Sequence, residues 1–243
     1  MITQPQTTPA APTAPDPDEE RIRVQTARLV SYRDDGPLAA LLRDRLGPGL
    51  PPVFTTLLAL AAVAALAITD TLAAGTGPVM LLPALIVVAL VVPTVPRDHL
   101  GRLDWLVPPL VRGAEFLAIL TIGLATDTPR WLLFVLLYVI GYHTYDTVYR
   151  TRQGIWPPEW IFKAGLGWEG RLIVIGLGAA IGQLTIVVAV LTAYLFILFA
   201  AESVTSWVRL DKASTQAQAA EDLEAAPEEA AERAEAEAAQ EKA

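Results

Sequence analysis

Residues 97–115 read RDHLGRLDWLVPPLVRGAE and stand between two long apolar runs, and the run they open carries Asp104, Arg112 and Glu115. An ionised side chain in hydrocarbon costs at least ~2.5 kcal/mol, so three in one span need partners or water and mark a site. Asp104 and Glu115 are eleven residues apart, about three helical turns, and share a helix face. Arg112, three residues before Glu115, can pair with it. A later apolar run carries His143, Asp146 and Arg150 as a one-face i, i+3, i+7 set. The two faces are expected to meet around a polar cavity open at one membrane surface. At its cytoplasmic mouth Arg150, Arg152 and Arg171, at the end of one helix and the start of the next, are expected to converge and clamp phosphate oxygens bidentately. The alternative is a structural ion network that pins the helices and binds nothing. Asp98, His99 and Asp104 could approach one cation, although their spacing matches no strong metal motif. His99 also fits a plain loop residue, and His143 a helix-packing donor.

The elements that must hold these groups are membrane helices. Hydrophobic residues make up 53% of the 243-residue chain and its mean hydropathy is +0.42; runs this long and uncharged take the bilayer as solvent. The formal charge of −8 is uneven. Residues 213–243 sum to −7 and residues 1–20 to −4, which leaves 21–212 at +3 and suited to anionic lipid. With no cysteine there is no thiol nucleophile, disulfide or Cys-based metal site. The opening MITQPQTTPAAPTAP lacks the basic and apolar regions of a signal peptide.

Residues 1–20 are rich in Pro, Thr and Ala and read as a disordered tail. Residues 21–49 read as a cytoplasmic, interfacial segment. Asp34-Asp35-Gly36-Pro37 looks like a helix start. Leu38, Leu41, Leu42 and Leu46 then form one stripe, ended by Gly47-Pro48-Gly49; a solvated linker is the alternative. Residues 50–210 read as six transmembrane helices. The spans are about 53–73, 78–92, 103–125 and 131–149, and the stretch 171–207 divides near Gly182-Gln183 into a fifth and a sixth. Pro108 and Pro109 predict a kink in the third. Gly178 and Gly182 make a small-xxx-small packing face, and no strand precedes them as a dinucleotide fingerprint would need. All six tryptophans, Trp168 included, fall at expected membrane edges. Of 18 basic residues, 16 lie on one side of this arrangement, so both termini are expected in the cytoplasm, at a bacterial cytoplasmic membrane. Residues 211–243 are an acidic Ala/Glu-rich tail, fraying helix or disorder. No Ser-His-Asp set, P-loop or nucleic-acid signature occurs.

Several stretches resemble the CDP-alcohol phosphatidyltransferases. An interfacial helix followed by Pro51-Pro52-x-x-Thr55 and six helices has that family's order. Gly101-Arg102-Leu103-Asp104 with Arg112 and Glu115 is similar to its Gly…Leu-Asp…Asp-Arg…acid helix. Val148-Tyr149-Arg150-Thr151-Arg152 is similar to the end of its fourth helix, and residues 165–172 (GLGWEGRL) to the start of its fifth. Val204-Thr205 before Trp207 and Arg209 resembles its C-terminal end. Closer still, RDDGPL, GRLDWLVPP, YDTVYR and GLGWEGR resemble an uncharacterised actinobacterial membrane domain found behind nucleotidyltransferase and phosphatidyltransferase modules. The resemblance implies an all-α, six-helix CDP-alcohol phosphatidyltransferase-like bundle in phospholipid or envelope-lipid metabolism. It implies Mg2+ or Mn2+ as cofactor with Asp104 as ligand. The substrate- and phosphate-binding candidates of the chain are Arg102, Arg112, His143, Asp146, Arg150, Arg152 and Arg171. It implies membrane lipids and an active nucleotidyltransferase or phosphatidyltransferase as partners; a homodimer is also open to the chain, and nucleic acid is not expected.

One departure is large. The family's catalysis uses Asp-x-x-Asp-Gly-x-x-Ala-Arg and then Gly-x-x-x-Asp-x-x-x-Asp, whose four carboxylates hold the metal ions. Here the second span ends VVPTVP, only Asp104 of the four matches, and Pro108 stands four beyond it. Two divalent ions need more oxygen ligands than that. Asp34 and Asp35 precede the first span and are not expected to substitute. Three readings follow. The chain is an atypical or degenerate relative that binds a lipid-linked or phosphorylated polyol at the inner leaflet; or an active phosphotransferase with Asp98, His99, Asp104 and Glu115 in a rebuilt site; or a small transporter, against which stands the lack of paired discontinuous helices.

Overall fold

Prolines and acidic first turns set where the helices begin. In the computed structural model residues 17–47, 49–97 and 101–241 are described, and among them the regular structure is entirely helical. Helix α1 spans Pro17–Arg33, with Asp18, Glu19 and Glu20 in its first turn and Arg33 in its last, the polarity that the helix dipole favours. Helix α2 is Pro37–Leu42, with Pro37 in its first turn, and a 3-10 turn, Arg43–Arg45, continues it. Helix α3 is Pro52–Ala67, and α4 is Leu82–Val91 after a 3-10 turn over Pro78–Leu81. Helix α5 is Val107–Ala125, preceded by the 3-10 turn Asp104–Leu106. Then come α6, Arg130–Arg152, α7, Glu159–Ala164, α8, Gly167–Ala180, and α9, Leu184–Glu241.

Three of these stretches are long and apolar enough to cross a membrane: Asp104–Ala125, Arg130–Arg152 and Leu184–Gln216. Pro52–Ala67 and Pro78–Thr94 are shorter apolar helices. The chain divides into two compact units, Met1–Phe196 and Ile197–Ala243. Within the first, α3 packs on α4 and α5, α8 lies against the same two helices, α1 rests on α5 and α6, and α2 on α8. Val63, Val87, Val111, Ile119, Ile122 and Ile175 are fully buried among them. The second unit is the continuation of α9 to Glu241.

Three expectations are corrected here. Pro108 and Pro109 do not kink a span. They fall in the first turn of α5, where a missing N–H removes no intrahelical bond. Residues 17–20 are helical rather than part of a disordered tail, because the acids that look like solvated chain stabilise the N-terminus of α1. The segment expected to be an interfacial helix is short: α2 has six residues and a 3-10 turn continues it, with Ala39 fully buried and Leu41 exposed. Trp168 is fully buried and is not a membrane-edge residue. The expected break at Gly182-Gln183 does separate α8 from α9, with Gly182 at φ +70. Residues 1–16, Asp98 and His99 lie outside the described residues.

Candidate functional site

Two short phrases more than 120 residues apart, RDDGPL and GLGWEGR, meet in the structure. The turn between α1 and α2 lays its backbone on the turn between α7 and α8. The approach is so close that a Cβ on Gly36 would stand 2.3 Å from the Leu166 carbonyl oxygen, and one on Gly167 2.2 Å from the Gly36 nitrogen. Gly167 also has φ +59, a conformation that glycine alone adopts without steric cost. Asp34, Asp35 and Gly36 of the first phrase then find partners in the second. The Trp168 N–H donates to the Asp34 carbonyl at 3.2 Å, and the Trp168 indole Nε1–H donates to Asp35 Oδ1 at 2.9 Å. Glu169 accepts the Gly36 N–H on Oε2 and the Ala39 N–H on Oε1, both at 3.0 Å. Its carboxylate thereby satisfies N-terminal donors of α2 that the turn itself leaves open.

Below this clasp lies a closed quartet of charges. Asp34 stands at φ +57, a left-handed conformation that aspartate tolerates better than most residues. Its Oδ2 accepts from Arg171 Nη2 at 2.7 Å and from Arg112 Nη2 at 3.2 Å. Glu115 receives the same two guanidiniums on separate oxygens, Arg171 Nε on Oε1 at 2.7 Å and Arg112 Nη1 on Oε2. Arg171 Nη1 also donates to the Gly165 carbonyl at 3.0 Å. Glu115 and Arg171 are fully buried. Two acids and two bases give a neutral quartet, the condition under which charge can be buried at tolerable cost. It is not saturated: Asp34 Oδ1 and Arg112 Nε are buried without a hydrogen bond. Beside it, Arg33 Nη1 donates to Thr94 Oγ1 at 3.2 Å and its Nε pairs with Asp35.

The expected polar faces of α5 and α6 are present, but the space between them is not an open cavity. The α1–α2 turn stands there, with Asp34 bonded to α5 and His143 of α6 close enough to act on its charge. Burial alone would push the Asp34 carboxyl up. Arg171 and Arg112, together with His143, outweigh burial and hold it below the usual carboxylate range. Asp146 and Arg150 pair along α6 at 2.8 Å, and Thr151 donates to the Tyr32 hydroxyl of α1 at 3.0 Å.

Arg150, Arg152 and Arg171 do not converge as an open phosphate clamp. Arg171 spends all three nitrogens on protein acceptors, Arg150 is buried against Asp146, and Arg152 is exposed at the end of α6. The Arg112–Glu115 pair forms as its spacing predicts. Asp104 stands elsewhere and accepts the Gly101 N–H at 2.8 Å. It lines a cavity of about 970 Å3 with Arg97, Arg102, Pro52, Phe54 and Leu57. Asp34, Asp35, Trp168 and Glu169 are the site residues that the sequence reading misses.

The described donors do not fit Mg2+ or Mn2+. These ions take about six oxygen ligands, and no group of three or more His, Cys, Asp or Glu gathers among the described residues. Asp34 and Glu115, the acids of the quartet, are each held by two guanidiniums, which repel a cation.

Glu169 makes the clasp sensitive to pH. Burial pushes its carboxyl up to about 7, against the pull of the Ala39 and Gly36 N–H groups, and Asp35 adds to the rise. The ordinary value is 4.5. Between about 4.5 and about 7 the folded protein holds a proton that the unfolded chain releases, so this group's contribution to stability falls as pH rises through that window. Asp34 acts in the opposite sense at lower pH, where its stabilisation is lost as pH falls through its depressed value. Across the upper window the melting temperature of Glu169→Gln is expected to decline less with pH than that of the wild type. Equal slopes for the two proteins would remove Glu169 from the account.

The fold and the site define an all-helical protein with membrane-length apolar helices, built around a buried quartet of ion pairs. The chain belongs to a family of unknown function, DUF5941, whose profile matches residues 23–228 and therefore includes both halves of the clasp. No curated protein and no solved structure matches it.

Proposed function

We propose that the protein is a six-span membrane relative of the CDP-alcohol phosphatidyltransferases that binds a phosphorylated, lipid-linked polyol or phospholipid head group at the cytoplasmic face. It works without that family's metal chemistry. In this reading the apolar helices α3, α4 and α8 complete the six spans beside α5, α6 and α9, and both termini are cytoplasmic. The reading rests on one observation, the chemistry of the cavity lined by Arg97, Arg102 and Asp104. Arg97 and Arg102 are exposed and can clamp phosphate oxygens bidentately. Asp104 can accept a polyol hydroxyl. Phe54, Leu57 and Leu103 supply the apolar wall that an acyl chain needs. The acids that the family would use for metal are here given over to guanidiniums or missing, which favours binding over transfer. An active nucleotidyltransferase or phosphatidyltransferase partner would then use the ligand so held.

The test is binding of phosphatidic acid, CDP-diacylglycerol and inositol phosphate to protein in nanodiscs. Replacing Arg97 and Arg102 together by alanine should weaken phosphatidic acid binding by about tenfold per arginine. Arg130→Ala, on the opposite side by the charge count, should leave it unchanged. A preference for phosphatidic acid over inositol phosphate marks a lipid-borne phosphate. Equal binding by the wild type and both variants, for all three ligands, would sink the reading.

A further inference from the structure

Helices α3 and α5 start level and end apart. Pro51 and Pro52 line one cavity with Asp104, so the two helices leave the same membrane surface side by side. Helix α3 has 16 residues and rises about 24 Å, short of the ~30 Å hydrocarbon layer. The α5 stretch Asp104–Ala125 has 22 residues and rises about 33 Å. Its last turns therefore stand beyond the end of α3, beside the 3-10 turn Asp70–Leu72. The shortfall leaves a notch of about 450 Å3, lined by Leu66 and Ala67 at the end of α3, by Leu72, and by Leu117, Thr121 and Leu124 of α5. Among the described residues no charged one lines it.

One polar group in this notch is unaccounted for. Thr121 is 6% exposed, and its Oγ1 is buried without a hydrogen-bond partner. A helical threonine can spend its hydroxyl on a carbonyl of the preceding turn. Thr56, Thr126, Thr144, Thr151 and Thr192 all donate to the carbonyl four residues back. Thr121 makes no such bond, and it lines the notch. A hydroxyl in hydrocarbon needs a partner, and leucine and alanine side chains offer none. Thr121 lies four residues from the end of α5, about 6 Å, at the level where hydrocarbon gives way to the head-group region. The acceptor that a membrane lipid carries at that level is the ester carbonyl of its acyl chain.

We infer that this notch is a lipid site, taken by an ester-linked glycerolipid of the leaflet opposite the Arg97–Arg102 cavity. An acyl carbonyl accepts from Thr121, and the chain lies along Leu117, Leu120 and Leu124. The inference rests on the membrane-spanning part of the proposed function and not on its head-group site. Without a charged side chain the notch has no clamp for a head-group phosphate, so the lining selects for the ester and the chain. A water molecule is the competing occupant. It would find Thr121 and little else, because the Thr69 hydroxyl is spent on the Leu66 carbonyl and Thr71, whereas a buried water makes about three hydrogen bonds.

The test uses nanodiscs holding equal amounts of dioleoylphosphatidylcholine and its diether analogue, which lacks the ester carbonyls. The protein is extracted in mild detergent, and the lipid it retains is identified by native mass spectrometry. Wild type should retain ester over ether by about fivefold, the worth of one hydrogen bond. Thr121→Ser keeps the hydroxyl and should keep the preference. Thr121→Val keeps the shape and should retain the two lipids equally. Thr144→Val, whose hydroxyl is bonded inside α6, should behave as wild type. Leu120→Trp fills the notch and should lose the retained lipid. Both lipids carry the same head group, so a failure of binding at Arg97 and Arg102 does not move this comparison. Equal retention of ester and ether by the wild type overturns the inference, and a water-filled notch would give that result. An undiminished preference in Thr121→Val, or lipid still retained by Leu120→Trp, overturns it too.

Discussion

Arg171→Met is expected to abolish accumulation of folded protein, or to lower its stability by about 3–5 kcal/mol where enough can be purified to measure. The side chain is fully buried and serves Asp34, Glu115 and the Gly165 carbonyl through three different nitrogens. Its removal leaves two carboxylates facing one guanidinium in a dry interior, and the Gly165 carbonyl without its donor. Total stability is only about 5–15 kcal/mol, so one such loss is a large part of the whole. Arg171→Lys keeps the charge, but an ammonium cannot reproduce the planar fork. It should fall between Met and wild type. Arg152→Met, at the exposed end of α6, should change stability by no more than about 0.5 kcal/mol. Melting of the detergent-solubilised proteins, followed by size-exclusion chromatography with fluorescence detection, orders the four. An Arg171→Met protein as stable as Arg152→Met would mean that the quartet does not hold the fold.

What the sequence discloses of this site follows from distance along the chain. Arg112 and Glu115 are three residues apart, and helix geometry alone brings them together. The same rule pairs Asp146 with Arg150. Asp34 lies 137 residues from Arg171 and 78 from Arg112, and no periodicity connects them. It also precedes the first apolar run, which makes it look like solvated chain. Asp34-Asp35-Gly36 does carry a legible local signal, the start of α2 at Pro37, but that signal conceals the second use of both aspartates. Trp168 misleads for a related reason. A tryptophan beside an apolar run fits a membrane edge by composition, and only the tertiary fold shows its indole N–H spent on Asp35 inside the clasp. Gly36 and Gly167 are ordinary turn glycines in the sequence, whereas in the structure each stands where the other segment's backbone leaves no room for a Cβ. The all-helical class and the membrane-length runs of α5, α6 and α9 were legible because hydrophobicity acts locally, whereas α1, α7 and the length of α9 were not. The plug between α5 and α6 was not, because it depends on which distant charges need one another.

If the quartet acts as one unit, its members should be rescued in pairs of opposite sign. Arg112→Leu alone leaves Asp34 and Glu115 sharing Arg171, and is expected to be strongly destabilised. Adding Glu115→Leu restores neutrality and leaves the 2.7 Å contact of Arg171 with Asp34. Adding Asp34→Asn instead leaves the 2.7 Å contact of Arg171 with Glu115; asparagine suits the left-handed backbone at that position, where leucine would not. Both double variants should therefore be more stable than Arg112→Leu, with coupling of about 0.5–3 kcal/mol in each cycle. The Asp34→Asn rescue should be the fuller one, because the asparagine oxygen can still accept from Arg171 and no cavity is left at depth. Glu115→Leu replaces a buried hydrogen-bonding group by an apolar one and frees Arg171 Nε, which costs part of what neutrality restores. Pairs of like sign give the contrast: Asp34→Asn with Glu115→Leu strands two guanidiniums together and should be worse than either single change. Strictly additive losses across all three pairs would show four independent residues rather than a charge-balanced centre.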